Sequence, residues 1–368
     1  MVGKEIRLQR RRERHRLARQ EKLSHRRLLH ITRAQWVFQH APFRELPDGS
    51  SQRSRCITPP STVSLSSNYK ETIEFLEAVR ATAGVLKGTF WVDFTKIKHV
   101  TPAGALLLVA EFDRWKEKTA GERLRSLDLP QWTPSVRKRL KDMGFFTVLN
   151  ASCDLVDPED PDEERFLEFV TGHKSEGAKA QHLRQAIEGL GAKLRDANAL
   201  YDGLIEAMTN VEHHAYPVDA QVKRWWMSAS VNSTSNKLTV MFVDHGLTIP
   251  RTLPKSDLWE VIRAGIGGMG VLSGLLKDHA RLIEAAISVD RTRLQTKHRG
   301  NGLKRDIQGY VELHEAVGSM RIISGSGQYI FRKRSSQADE VELTKLPVPF
   351  RGTFIEWVIE DYATSETI

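Results

Sequence analysis

The stretch that most limits how this chain can fold runs from Lys223 to Asp244. It alternates as two strands, Lys223–Val231 and Lys237–Asp244, joined by a polar turn at Asn232–Asn236. An isolated hairpin is barely stable in water, so this one needs partners. The flanking sequence supplies them. Gln181–Leu194 and Ala197–His214 carry helical apolar spacing ahead of it, and Asp257–Ala264, Leu272–Ala286 and Gly302–Val317 do so after it. Met320–Ser324, Tyr329–Lys333 and Thr353–Ile359 read as further strands. Helices and strands in this order predict an α/β or α+β domain over residues 175–362.

Four short signals in this half carry chemistry. On the helix, Glu206, Asn210 and His214 are spaced i, i+4, i+8 and share one face. A carboxylate beside an amide oxygen suits a base next to a hard cation, and equally a solvated polar stripe. The second hairpin strand ends in Val243-Asp244-His245-Gly246-Leu247-Thr248-Ile249-Pro250. A carboxylate there could accept from an adenine amino group while the glycine admits the ring; an ordinary strand-end turn has the same residues. Third, His298-Arg299-Gly300-Asn301-Gly302-Leu303 leads directly into a helix. The first N–H groups and the dipole of such a helix favour an anion, and an N-terminal cap is the plainer reading. Fourth, Arg351-Gly352-Thr353 opens the last strand.

In this order the four segments resemble the N box, G1 box, G2 box and Gly-Thr box of the GHKL ATPases, the family of histidine kinases, gyrase, a class of heat-shock chaperones and MutL. The resemblance covers residues 175–362. It implies an α/β sandwich, a mixed sheet with helices on one face, that binds ATP and Mg²⁺. It implies that Glu206 polarises the attacking water and that Asn210 ligates Mg²⁺. Asp244 would bind the adenine amino group, with Gly246 beneath the ring and Thr353 behind it. Gly300 and Gly302 would cradle phosphates, and Ile249, Arg299, Asn301 and Leu303 belong to the same nucleotide-binding set. Thr248 stands where the family usually has a second glycine. Residues 251–297 would be the ATP lid, hinged at Gly265, Gly267, Gly268 and Gly270. Those glycines also fit a dinucleotide fingerprint, but a helix rather than a strand precedes them.

Upstream, Thr89–Phe94 reads as a strand, Thr101-Pro102-Ala103-Gly104 as a helix start, and Pro102–Lys116 as a strongly apolar helix. With Lys141-Asp142-Met143-Gly144-Phe145 further on, residues 63–155 resemble a small STAS α/β domain, the fold of anti-sigma-factor antagonists. That family's phospho-acceptor falls on Pro102, which has no hydroxyl, so the resemblance implies a docking or dimer surface rather than a phosphorylation switch. Residues 1–62 read as a basic arm and linker, and the acidic, proline-broken stretch 156–174 as a surface connection.

The net charge of +9 lies entirely in residues 1–35, which hold twelve Lys/Arg and three Glu. Arginine forks suit phosphate, so the arm predicts DNA or RNA as a partner. Interleaved Leu17, Leu23, Leu28 and Leu29 keep an acidic membrane or protein surface open, and a solvated tail is the plain alternative. No apolar run approaches the ~20 residues of a transmembrane segment. Cys56 and Cys153 lack metal-ligand spacing and fit a reducing cytoplasm. The whole predicts a cytoplasmic, ATP-binding, slowly hydrolysing switch acting on an unidentified protein partner, as a homodimer. A serine/threonine kinase of partner-switching type and a nucleotide-sensing scaffold without turnover are the alternatives.

Overall fold

The computed structural model of the chain describes residues 43–45, 53–85, 90–119, 128–158, 164–190, 197–217, 219–256, 258–264, 269–288, 308, 311, 317–334 and 338–360. The basic arm, the glycines at 265–268 and the loop carrying Arg299, Gly300, Asn301, Gly302 and Leu303 lie outside the described residues. In the first half, β1 (Phe43–Glu45), β2 (Arg53–Ile57) and β3 (Thr62–Val63) precede α1 (Tyr69–Val85). Then β4 (Phe90–Val92) and β5 (His99–Val100) precede α2 (Pro102–Lys118), followed by α3 (Pro134–Asp142) and α4 (Phe145–Leu149). β2 runs parallel to β4 and antiparallel to β1, and β3 pairs in parallel with β5. Part of the expected linker is therefore strand, because Cys56 and Ile57 bury into the core.

α2 is the centre of the molecule. Every residue from Ala103 to Phe112 is buried, as is Trp115. A helix that is apolar all round must be covered all round. The Thr101 hydroxyl caps its first turn, accepting from the Gly104 N–H at 3.2 Å, with Pro102 in the first turn, where a missing N–H costs nothing. The Thr101 hydroxyl is thus held in a helix cap.

The second half runs β6 (Glu164–Phe166), β7 (Val170–Gly172), α5 (Gly177–Gly189), α6 (Ala197–Asn210), β8 (Trp225–Asn232) and β9 (Lys237–Asp244). It continues through α7 (Ile249–Thr252), α8 (Leu258–Ala264), α9 (Met269–Lys277), α10 (His279–Ser288), β10 (Gly318–Lys333) and β11 (Glu340–Glu360). The strands form a six-stranded sheet in the order β10-β11-β9-β8-β6, with β7 also on β8. Every pairing described in it is antiparallel, which corrects the expected mixed sheet. Strands joined by short turns, as β8–β9 and β10–β11 are, have to run antiparallel. β6 and β7 fall inside the stretch expected to be a surface connection. The single helix expected over Leu272–Ala286 is split at Asp278, whose carboxylate accepts from the Ala280 and Arg281 N–H groups and starts α10 afresh.

Both faces of the sheet are covered, which corrects the expectation of helices on one face. Met227, Phe242, Ile322 and Ile355 pack with α5, α6 and α10, while Trp226, Val243, Ile323 and Phe354 pack with the first half. Adjacent strand residues point to opposite faces, so neighbours in sequence belong to two cores. The first half therefore forms the second slice of the sandwich.

Two substitutions test this arrangement. Leu107→Ala should cost about 3 kcal/mol by opening a cavity in α2, and Thr101→Ala about 1 kcal/mol by removing the cap. Urea unfolding followed by tryptophan fluorescence should show one transition shifted as a whole. Two separate transitions would contradict the shared core.

Candidate functional site

The sheet brings two of the predicted segments side by side. In the β9–β11 ladder Asp244 lies directly opposite Thr353. Asp244 ends its strand with its side chain 3% exposed as a residue, and its Oδ1 accepts from the Gly246 N–H at 2.7 Å. Thr353 adds hydrogen bonds from both its backbone and its hydroxyl. Ser324, from β10, ties the floor together. Its Oγ donates to the Gly352 carbonyl at 3.0 Å, accepts from the Ile249 N–H at 2.9 Å and lies 3.1 Å from Thr353 Oγ1.

Two glycines make the close approaches possible. Gly352 has φ +80°, and a Cβ there would strike the Asp244 carbonyl. A Cβ on Gly246 would overlap the Ala215 carbonyl, the group that also accepts from the Leu247 N–H. The strand-end turn is thereby seated on the end of α6. That helix finishes in a five-residue π turn, Val211–Ala215, a distortion frequent at functional sites.

On α6 the predicted pair is in contact: the Asn210 side-chain amide donates to Glu206 Oε1 at 3.1 Å. An amide donating through its nitrogen keeps its carbonyl oxygen as an acceptor. Glu206 is buried. Asn210 and His214 line the cleft, and both His213 and His214 are exposed. Among the described residues no group of three His, Cys, Asp or Glu is arranged for a metal.

The cleft itself is mostly apolar. Ala207 and Val211 of α6, Phe242 and Ile355 of the sheet, and Leu247, Ile249, Leu253 and Ala286 of the following segment form its walls. Asp244 and Thr353 are its polar floor. The enclosed space is about 90 Å³, and the cleft opens to solvent at its mouth. A flat heteroaromatic ring bearing an exocyclic amine fits this chemistry: apolar walls above and below, one acceptor at the base. A single amide oxygen suits Mg²⁺, which keeps several waters and takes further oxygens from a phosphate ligand.

Of the predicted residues, Asn210, Asp244, Ile249 and Thr353 meet at the cleft, with Gly246 as the support under the turn and Glu206 bonded behind Asn210. Ser324 and the wall residues Phe242, Leu253 and Ala286 were not among them. Ser324 could have been noticed, since Ser324-Gly325 breaks an apolar strand and the register shifts there. The walls had no such signal, because they are ordinary apolar residues.

Burial pushes the Asp244 carboxyl from its ordinary 3.8 up to about 7, although the donors from Gly246 and Thr353 pull the other way. The folded chain holds this proton more tightly than the unfolded chain. Its contribution to stability is therefore full below pH 3.8 and is lost as the pH rises to about 7. Asp244→Asn carries no such proton. Its stability relative to the parent should rise between pH 3.8 and about 7 and level off above, in urea titrations at each pH. A difference that does not change with pH would contradict the buried, neutral carboxyl. Compared with protein-family models, curated proteins and solved structures, the chain matches none, and its functional reading rests on the residues of this cleft.

Proposed function

We propose that this protein is a nucleotide-dependent switch that binds Mg-ATP in the cleft between α6, the β9–β11 floor and the α7–α10 segment, and hydrolyses it slowly. The observation that carries the reading is Asp244: a buried carboxylate at the base of an apolar cleft, opposite a threonine and on a turn held by the packing of Gly246 against the Ala215 carbonyl. A purine amino group donating to Asp244 would stabilise the ionised carboxylate that burial otherwise disfavours. The apolar walls would exclude water from the ring. Bound Mg²⁺ would supply charge neutralisation at the phosphates. Asn210 would offer its carbonyl oxygen to that ion, and Glu206, which accepts from the Asn210 amide at 3.1 Å, would hold that amide in place and take up the proton of an attacking water. Leu253 and Ala286 form the outer wall, so a movement of these two residues toward the cleft would read nucleotide state.

The test is calorimetric titration with Mg-ATP beside a phosphate-release assay. The parent should bind, and Asp244→Asn should lose at least about tenfold in affinity, since ~1.4 kcal/mol corresponds to one such hydrogen bond. Glu206→Gln should bind within about twofold yet release phosphate roughly a hundredfold more slowly. Affinity should also rise as the pH is raised toward about 7, because the ionised form of Asp244 is the better acceptor. No binding by the parent would sink the reading. Transfer of labelled phosphate to a co-purified protein, in place of free phosphate, would make the chain a kinase.

The arm gives a separate expectation. Removing residues 1–35 takes away the whole net charge of +9. Polynucleotide binding should be lost while nucleotide affinity is unchanged, and should fall steeply with salt in the parent. Equal polynucleotide affinity after the deletion would rule the arm out as the contact.

A further inference from the structure

Behind the cleft floor lies a buried ion cluster that the nucleotide reading does not use. Asp244 faces the cleft, so the next side chain along, His245, points to the other face of the sheet. There its ring packs on Trp226, with centroids 5.0 Å apart, and its Nδ1 lies 3.9 Å from Glu111 Oε2 on α2. Nδ1 is buried without a hydrogen-bond partner. Glu111 in turn binds Arg80 of α1 through both Nε, at 2.9 Å, and Nη2, and binds Arg114 at 3.0 Å. Arg80 also meets Glu77 at 3.3 Å, and Glu77 accepts from Arg351 Nε at 2.6 Å.

The chain of contacts closes on itself. His245 adjoins Asp244, and Arg351 sits two residues before Thr353. The end of β9 and the middle of β11, which form the cleft floor, are therefore both gripped from behind by the same pair of helices in the first half. The His245–Glu111 gap is also about 1 Å longer than a hydrogen bond. A small advance of the turn would close it, with Nδ1–H donating to the carboxylate.

We propose that Glu77, Arg80 and Glu111 are positioning residues that form a two-point clamp on the cleft floor, and that a ligand engaging Asp244 draws His245 onto Glu111, transmitting occupancy to α1 and α2. The inference rests on the nucleotide reading above for the identity of the ligand. Its consequence is that the first half is the output surface of the switch, and that ligand and α1–α2 packing are reciprocally linked.

Hydrogen exchange on the full chain, with and without saturating Mg-ATP, tests the clamp. In the parent, amides of Tyr69–Val85 and Pro102–Lys118 should exchange about fivefold or more slowly with nucleotide bound. Glu77→Gln releases Arg351 from a partly exposed partner, and His245→Phe keeps a ring against Trp226 while removing Nδ1. Each, compared at equal saturation fixed by equilibrium dialysis, should fold and bind nucleotide yet lose most of that distant protection. A purely structural role would lower stability without separating binding from protection. Nucleotide binding by the parent with no change in α1 and α2 overturns the clamp and leaves the cleft reading intact. Full protection retained in both variants overturns the ionic route. Absence of binding in dialysis overturns both.

Discussion

Everything in this molecule depends on α2 being covered on all sides. Its unbroken buried run from Ala103 to Phe112 can be stable only with α1 and α4 on one side and the six-stranded sheet on the other. The sheet has the reciprocal need. Trp226, Val243 and Phe354 would face water if α2 were absent. Burial of this kind is the dominant favourable contribution to folding, and here one helix satisfies two elements at once.

A charge in so apolar a place needs compensation. Glu111 is fully buried on α2. Burial alone would raise its carboxyl, but the guanidiniums of Arg80 and Arg114 outweigh this and hold it near 2. His245, in the same pocket, is driven well below its ordinary value by burial and by Arg80, so it is neutral. Ion pairs in such places add little net stability over apolar packing. Their geometry, which fixes how a helix sits on a strand end, is the more useful property. The second acid of α2 does the same: Asp113 takes Arg224 at 2.7 Å and the Trp226 indole N–H at 2.8 Å.

Much of the cleft was legible in the sequence because its parts are short and local. An acid and a glycine ending a strand, a glutamate and an asparagine one helical turn apart, and a Gly-Thr pair each carry their geometry with them. The ladder pairing of Asp244 with Thr353, 109 residues away in the chain, was implied only by the order of the segments. What the sequence hid is what depends on a partner across space. Trp225–Val231 reads as half of an alternating hairpin, yet each of these residues is buried, because a second layer covers the outer face. The acidic stretch before Phe166 looks like a tether, yet Phe166 is drawn into the core by the β6–β8 pairing. Glu111 looks like half of a surface i, i+3 pair with Arg114, and only the fold buries it and brings Arg80 to it.

The sharing of one helix between two layers also bears on how such a chain can change over generations. Where two halves meet through a small polar contact, either can be exchanged, duplicated or fused to something new. Here the cut would pass through the side chains of Trp226 and Phe354, and each half would carry away an uncovered apolar face. The cleft-bearing half and its neighbour are thus committed to each other as a single inherited unit, and variation in one has to be matched by variation in the other.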